Sequence, residues 1–218
     1  MWEYYIIATV AGVLSVVFSG PILEKPLNLI NVAANESQVL IPALFIFIMA
    51  LAVAGIAIWA YPILKKHNEA LALGFVGARI VEGALFIVGI ISLLSLLTLS
   101  QEFVKAGAAD ASYFHTQGIL LLAASDSASI LGMVIFDLGA LMFYYILYQT
   151  KLVPRWLSVW GIIGAPLMLV AVSFPIYVAD PTPMISVLNA PIALQEMVLA
   201  VWLIVKGFDV SAIASESV

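Results

Sequence analysis

The sequence predicts an all-α membrane protein: a polytopic bundle of six transmembrane helices, one domain over residues 1–218, with both termini in the cytoplasm. Three observations lead there. The first is composition. Of the 218 residues, 64% are hydrophobic and only 10% charged, with a mean hydropathy of +1.16. A soluble domain is typically about half apolar and about a quarter charged, so this chain has too few charges to cover a water-facing surface. The second is run length. A bilayer core of about 30 Å needs about 20 mostly apolar residues of helix, and stretches such as "IPALFIFIMALAVAGIAIWAYPIL" supply them. Such unbroken runs are helical spans, not the alternating strands of a barrel, and only those two architectures satisfy the backbone inside lipid. The third is where the basic residues fall.

The spans, taken in order, are about residues 2–20, 39–64, 70–99, 118–148, 154–178 and 189–207. The first has no basic n-region, since Glu3 stands there, and no Ala-x-Ala site follows. It therefore reads as a retained span, not a signal peptide. Lys65 and Lys66 follow span two, Lys151 and Arg155 follow span four, and Lys206 ends span six. With six spans these five fall on one side, against Lys25 and Lys105 on the other, which makes the first side cytoplasmic. Trp2, Tyr4, Tyr5, Tyr61, Tyr144, Tyr145, Tyr148, Trp156 and Trp160 lie near the same boundaries and read as an interfacial belt.

The cytoplasmic links are short, so spans two and three are antiparallel neighbours across "KKHNE". The outer links are longer. "QEFVKAGAADASYFHTQG" reads equally well as a short surface helix or an ordered loop. "SFPIYVADPTPM" has three prolines and reads as a rigid, non-helical link. Asn189 then caps span six, with Pro191 in its first turn. Glycines such as Gly74, Gly77, Gly139 and Gly161 read as sites of close helix packing. Pro166 is placed to kink span five.

Several chemistries are excluded. There is no cysteine, hence no disulfide and no zinc–thiolate site. No basic patch points to nucleic acid. His67 and His115 sit in or beside polar stretches, unsuited to a haem deep in the bilayer. No spacing matches a metal, cofactor or catalytic motif, and the surrounding partner is the lipid bilayer.

What remains is a set of polar residues inside the spans. Arg79 lies about 13 Å into span three, near mid-bilayer. Glu82 is three residues on and shares its helix face. An unpaired arginine at that depth costs from about 2.5 to above 10 kcal/mol. Span four carries Asp126, Ser129, Met133 and Asp137 on one face, with Asp126 near the outer end. Span six carries Gln195 and Glu196. Arg79 is the lone cation at these depths, against the acids Glu82, Asp137 and Glu196, with Asp126 at the rim. Low dielectric does not hold that many ionised carboxyls with one cation. Either some carry protons or a cation sits among them. A three-plus-three inverted repeat would set Glu82 against Glu196, although the flanking residues match poorly.

The stretch "YPILKKHNEALALGFVGARIVEGALFIVGIISLLSL", together with "LVPRWLSVWGIIGAPLML", resembles the prokaryotic membrane family known as domain of unknown function 4386. The resemblance runs over about residues 12–207. Arg79 and Glu82 fall on the family's arginine and glutamate, and Asp126 on an acidic position in span four. The histidine that often precedes that acid is replaced here by Ser125. The resemblance implies a multi-pass protein of a bacterial or archaeal plasma membrane and implies no activity.

The residues themselves favour binding or translocation of a small polar or cationic solute, with proton coupling as one way to balance charge. Candidate site residues are Arg79, Glu82, Asp126, Asp137, Gln195 and Glu196, with Asp126 guarding the outer mouth. The rivals are an intramembrane enzyme acting on lipid through paired carboxyls, and a structural or regulatory subunit in which Arg79–Glu82 is a sealed packing pair.

Overall fold

The computed structural model describes residues 2–23, 26–107, 111–173 and 182–209. Among these residues every regular element is helical. α1 is Trp2–Ser19, followed by a 3-10 turn at Gly20–Leu23. The others are α2 (Leu29–Ala34), α3 (Ser37–Leu64), α4 (Glu69–Ala106), α5 (Ala111–Thr150), α6 (Arg155–Ser173) and α7 (Thr182–Val205). α3, α4, α5, α6 and α7 each hold a segment long and apolar enough to cross a membrane; α1 is apolar but shorter. The chain is thus a multi-pass helical membrane protein.

The ends of these helices follow from local chemistry. Asn68 opens α4: its Oδ1 accepts from the Leu71 amide at 3.0 Å, the usual satisfaction of a free first-turn donor. Asn28 does the same for α2 through the Asn31 amide at 3.1 Å. α5 ends where Lys151 turns left-handed, with φ of 57°, and its amide closes on the Leu147 carbonyl at 3.1 Å. Just beyond the end of α7, Gly207 turns left-handed, with φ of 70°, and the absence of a Cβ makes that conformation inexpensive.

Three expectations need correction. Asn189 does not cap span six. α7 begins at Thr182, so Asn189 and Pro191 both lie inside it. Thr182 is followed by Pro183, itself a helix-start signature, and this earlier start prevailed. The last residues of "SFPIYVADPTPM" are accordingly helical, while residues 174–181 lie outside those described. The segment after span three forms no separate surface element: α4 continues to Ala106 and α5 begins at Ala111, so the two spans absorb most of it. The belt is also smaller than expected. Tyr145, Tyr148 and Trp156 are exposed, whereas Tyr5 and Tyr144 are buried.

The chain forms two compact units. Unit 1 comprises residues 1–6, 52–82 and 132–218; unit 2 comprises residues 7–51 and 83–131. In unit 1, α6 packs along α7. Gly164 makes room for this, since a Cβ there would meet Ile192 at 3.2 Å. At Gly161 a Cβ would lie 2.6 Å from the Tyr144 ring, and at Gly139 2.8 Å from the Ala78 methyl. Gly77, expected as a packing glycine, faces open space. Phe75 stacks on Phe143 with centroids 4.7 Å apart. In unit 2 a purely apolar cluster joins Leu27, Leu29 and Val32 to Val39, Leu93, Leu96 and Leu122. Gly118 admits it, its missing Cβ filled by the Leu29 and Leu27 side chains at 3.0 and 3.2 Å.

Candidate functional site

The charged residues expected inside the membrane meet in unit 1, and Arg79 is their centre. It stands ten residues into α4, about 15 Å along the helix, and is 3% exposed. Its Nη1 donates to Glu82, at 3.2 Å to Oε2 and 3.4 Å to Oε1. This is the i, i+3 pair legible in the sequence. Its Nη2 donates to Glu196 Oε1 at 3.3 Å, which ties α4 to α7. The guanidinium also lies over two rings, with its carbon 4.5 Å from the Phe136 centroid and 5.6 Å from that of Phe75. A cation over a desolvated aromatic face gains about 2 kcal/mol, which offsets part of the burial cost. Glu82 is buried like Arg79, whereas Glu196 keeps 26% of its side chain exposed.

Asp137 follows Phe136 on α5. The close approach of Gly139 to Ala78 fixes this stretch of α5 against the α4 turn that carries Arg79. Asp137 is fully buried, and it lies within electrostatic range of Glu196, Glu82 and Arg79. Neither of its carboxyl oxygens has a hydrogen-bond partner among the described residues. The same holds for Arg79 Nε, the Tyr5 hydroxyl and Ser158 Oγ, all in unit 1. A buried polar group left unpartnered costs about 1–3 kcal/mol. Among the described residues, unit 1 thus holds several buried polar atoms that the protein itself leaves without a partner.

Gln195 does something different. It is fully buried; its Oε1 accepts from the Tyr144 hydroxyl at 2.5 Å, and its Nε2 donates to the Leu157 carbonyl at 3.1 Å. It thereby joins α7 to α5 and α6 in one satisfied node. Its neighbour Glu196 is presented to Arg79 by that anchoring. Tyr144 is a residue that sequence reasoning assigned to the interface. The available signal was its position seven residues, two turns, beyond Asp137 on the same face of α5.

Asp126 is not part of this group. It belongs to unit 2, is exposed, and lines a cavity of ≈ 480 Å³ with Ser15, Ser19, Gln38, Ser125 and Ser129. Among the described residues, no three His, Cys, Asp or Glu side chains are placed to share one metal ion.

An intramembrane arginine bridging two glutamates, beside a buried aspartate, defines a class: multi-pass helical membrane proteins with a charged interior. The chain matches the family DUF4386, a domain of unknown function, over residues 4–207, and it belongs to that family. No curated protein and no solved structure matches it.

Proposed function

We propose that unit 1 binds a small polar or cationic solute within the membrane-spanning part of the chain, and that the solute is held there or passed across the bilayer. The observation that carries this reading is Asp137: a fully buried carboxyl beside the Arg79 cluster, with both oxygens unpartnered among the described residues. Arg79 already gives its two terminal nitrogens to Glu82 and Glu196. Asp137 is therefore the group with unspent capacity for a cation or a hydrogen-bond donor. In this reading Arg79 positions the two glutamates, and Glu82, Asp137 and Glu196 take up protons or coordinate the solute's charge. Glu196, the acid with the exposed edge, exchanges with the surroundings. Gln195 is a positioning residue. The setting we propose is the plasma membrane of a prokaryote, with α1 as a sixth span and both termini cytoplasmic, on the family resemblance and the distribution of lysine and arginine.

A second reading has its own support. Arg79 lies over the Phe136 and Phe75 rings and is nearly sealed, as in an ion pair that sets helix packing. The two part at Asp137. Thermal unfolding of the detergent-purified protein should be followed with a panel of monovalent cations, small amines and polyols at constant ionic strength. At least one compound should raise the wild-type midpoint by several degrees and leave Asp137→Asn unmoved. If wild type and variant respond alike across the panel, the cluster is a packing device and the solute reading fails.

A further inference from the structure

The cavity of unit 2 has a chemistry of its own that the charged cluster does not explain. It measures ≈ 480 Å³, and among the described residues its lining holds one formal charge, the Asp126 carboxylate. Its other polar groups are four serines and one amide, and three of the serine protons are already spent. Ser15 donates its hydroxyl to the Gly12 carbonyl at 2.7 Å, Ser19 to Val16 at 2.9 Å, and Ser129 to Ser125 at 3.0 Å. A hydroxyl carries one proton and two lone pairs. Once that proton goes to the helix's own backbone, the oxygen faces outward as an acceptor only. Gln38 adds another: its Oε1 is a buried acceptor without a partner among the described residues. The rest of the wall is apolar, including Leu93, Leu122 and Pro42. The cavity thus offers a carboxylate, a carbonyl-type oxygen and hydroxyl lone pairs within apolar walls, with the Gln38 amide and the Ser125 hydroxyl as its remaining donors.

We infer that this cavity is a binding site for a primary ammonium group, with Asp126 as its counter-ion and Gln38 and the serines as acceptors for its N–H donors. A primary ammonium has three donors and no acceptor, which suits a wall whose charge is negative and whose lone pairs outnumber its remaining donors. An anion would meet Asp126 unopposed by a lining cation among the described residues. A neutral polyol would find acceptors but leave the carboxylate without a charge partner. A quaternary ammonium would match the charge and waste the acceptors. The inference is independent of the Arg79 cluster, because every lining residue belongs to unit 2.

A primary ammonium reaches such a site from two sources, a free amine or the headgroup of an ethanolamine lipid, and one experiment separates them. The full chain is reconstituted in nanodiscs of phosphatidylcholine, whose headgroup has no N–H donor, and titrated with ethylammonium and with tetramethylammonium chloride by calorimetry. Ethylammonium should bind at least ten-fold more tightly. Asp126→Asn and the near-isosteric Gln38→Met should each weaken it several-fold, both remaining monodisperse and helical. Gly77→Ala, where nothing lies within 4 Å of the new methyl, should leave it unchanged, and losses in the two unit 2 variants assign the binding to this cavity and not to the unit 1 cluster. Repeating the titration in nanodiscs containing phosphatidylethanolamine identifies the source: lost ethylammonium binding means the lipid headgroup holds the site, and retained binding means a free amine. Equal affinity for the two ammonium ions, or affinity untouched by both unit 2 variants, overturns the inference.

Discussion

The buried polar residues of unit 1 are Arg79, Glu82, Asp137, Ser158 and Gln195; those of unit 2 are Ser15, Ser100 and Ser125. The difference is one of chemistry. Ser15 and Ser100 donate to carbonyls of their own helices, at Gly12 and Leu96. A serine satisfied in that way needs nothing from a neighbouring helix. A carboxylate has no such recourse, because it can only accept and the interior N–H groups of its own helix are already used. Arg79 reaches across to Glu196, and Gln195 to Tyr144 and Leu157. Unit 2 is held by an apolar cluster with locally satisfied hydroxyls, while unit 1 depends on polar contacts between helices. Charge deep in an apolar protein is costly unless it is paired, so unit 1 is where substitutions should matter most.

The largest effect is expected for Arg79→Met. It leaves Glu82 and Glu196 without their cation, and breaking a buried pair in this way costs about 3–5 kcal/mol. A sharp fall in the thermal midpoint and in folded yield should follow. A midpoint near that of wild type would mean the pair contributes nothing to unit 1.

Packing gives the next step down. Gly161→Ala puts a methyl 2.6 Å from the Tyr144 ring, and that ring is fixed by its bond to Gln195. Forced overpacking of this kind costs about 1–3 kcal/mol. Gly77→Ala is the control. Nothing lies within 4 Å of the new methyl, and replacing a helical glycine stabilises by up to about 1 kcal/mol. Opposite signs are expected in one unfolding assay, and equal losses would contradict the packing described.

The smallest effect belongs to unit 2. Ser100→Ala removes a hydroxyl bonded only to Leu96 of its own turn, and the freed carbonyl keeps its helical partner. A change below about 1 kcal/mol is expected in the same assay. A loss as large as that of Arg79→Met would erase the contrast between the units.

How much of this was legible in the sequence depends on the distance over which each residue finds its partner. Arg79–Glu82 is local, three residues on one helix, and its face was readable from spacing alone. That Glu196 takes the other Nη was not. It depends on the axial register of α7 against α4, which Gln195 and Tyr144 set through contacts dozens of residues apart in the chain. Spans were legible because hydropathy is a bulk property. Their ends were less so: "DPTPMISVLNAP" offers two proline start signals, and spacing gave no ground for choosing Pro183 over Pro191. Tyr144 shows the same weakness. Composition marks an amphipathic ring near a helix end, but only the packing at Gly161 reveals that it faces inward.

The most direct test concerns Asp137 without any ligand. A carboxyl fully buried and unpartnered among the described residues gives no stability through hydrogen bonds. If its place in unit 1 is to receive a solute, Asp137→Asn should unfold at or above the wild-type midpoint. A loss of several degrees, comparable with that of Arg79→Met, would contradict this and make Asp137 a structural partner of the Arg79 cluster.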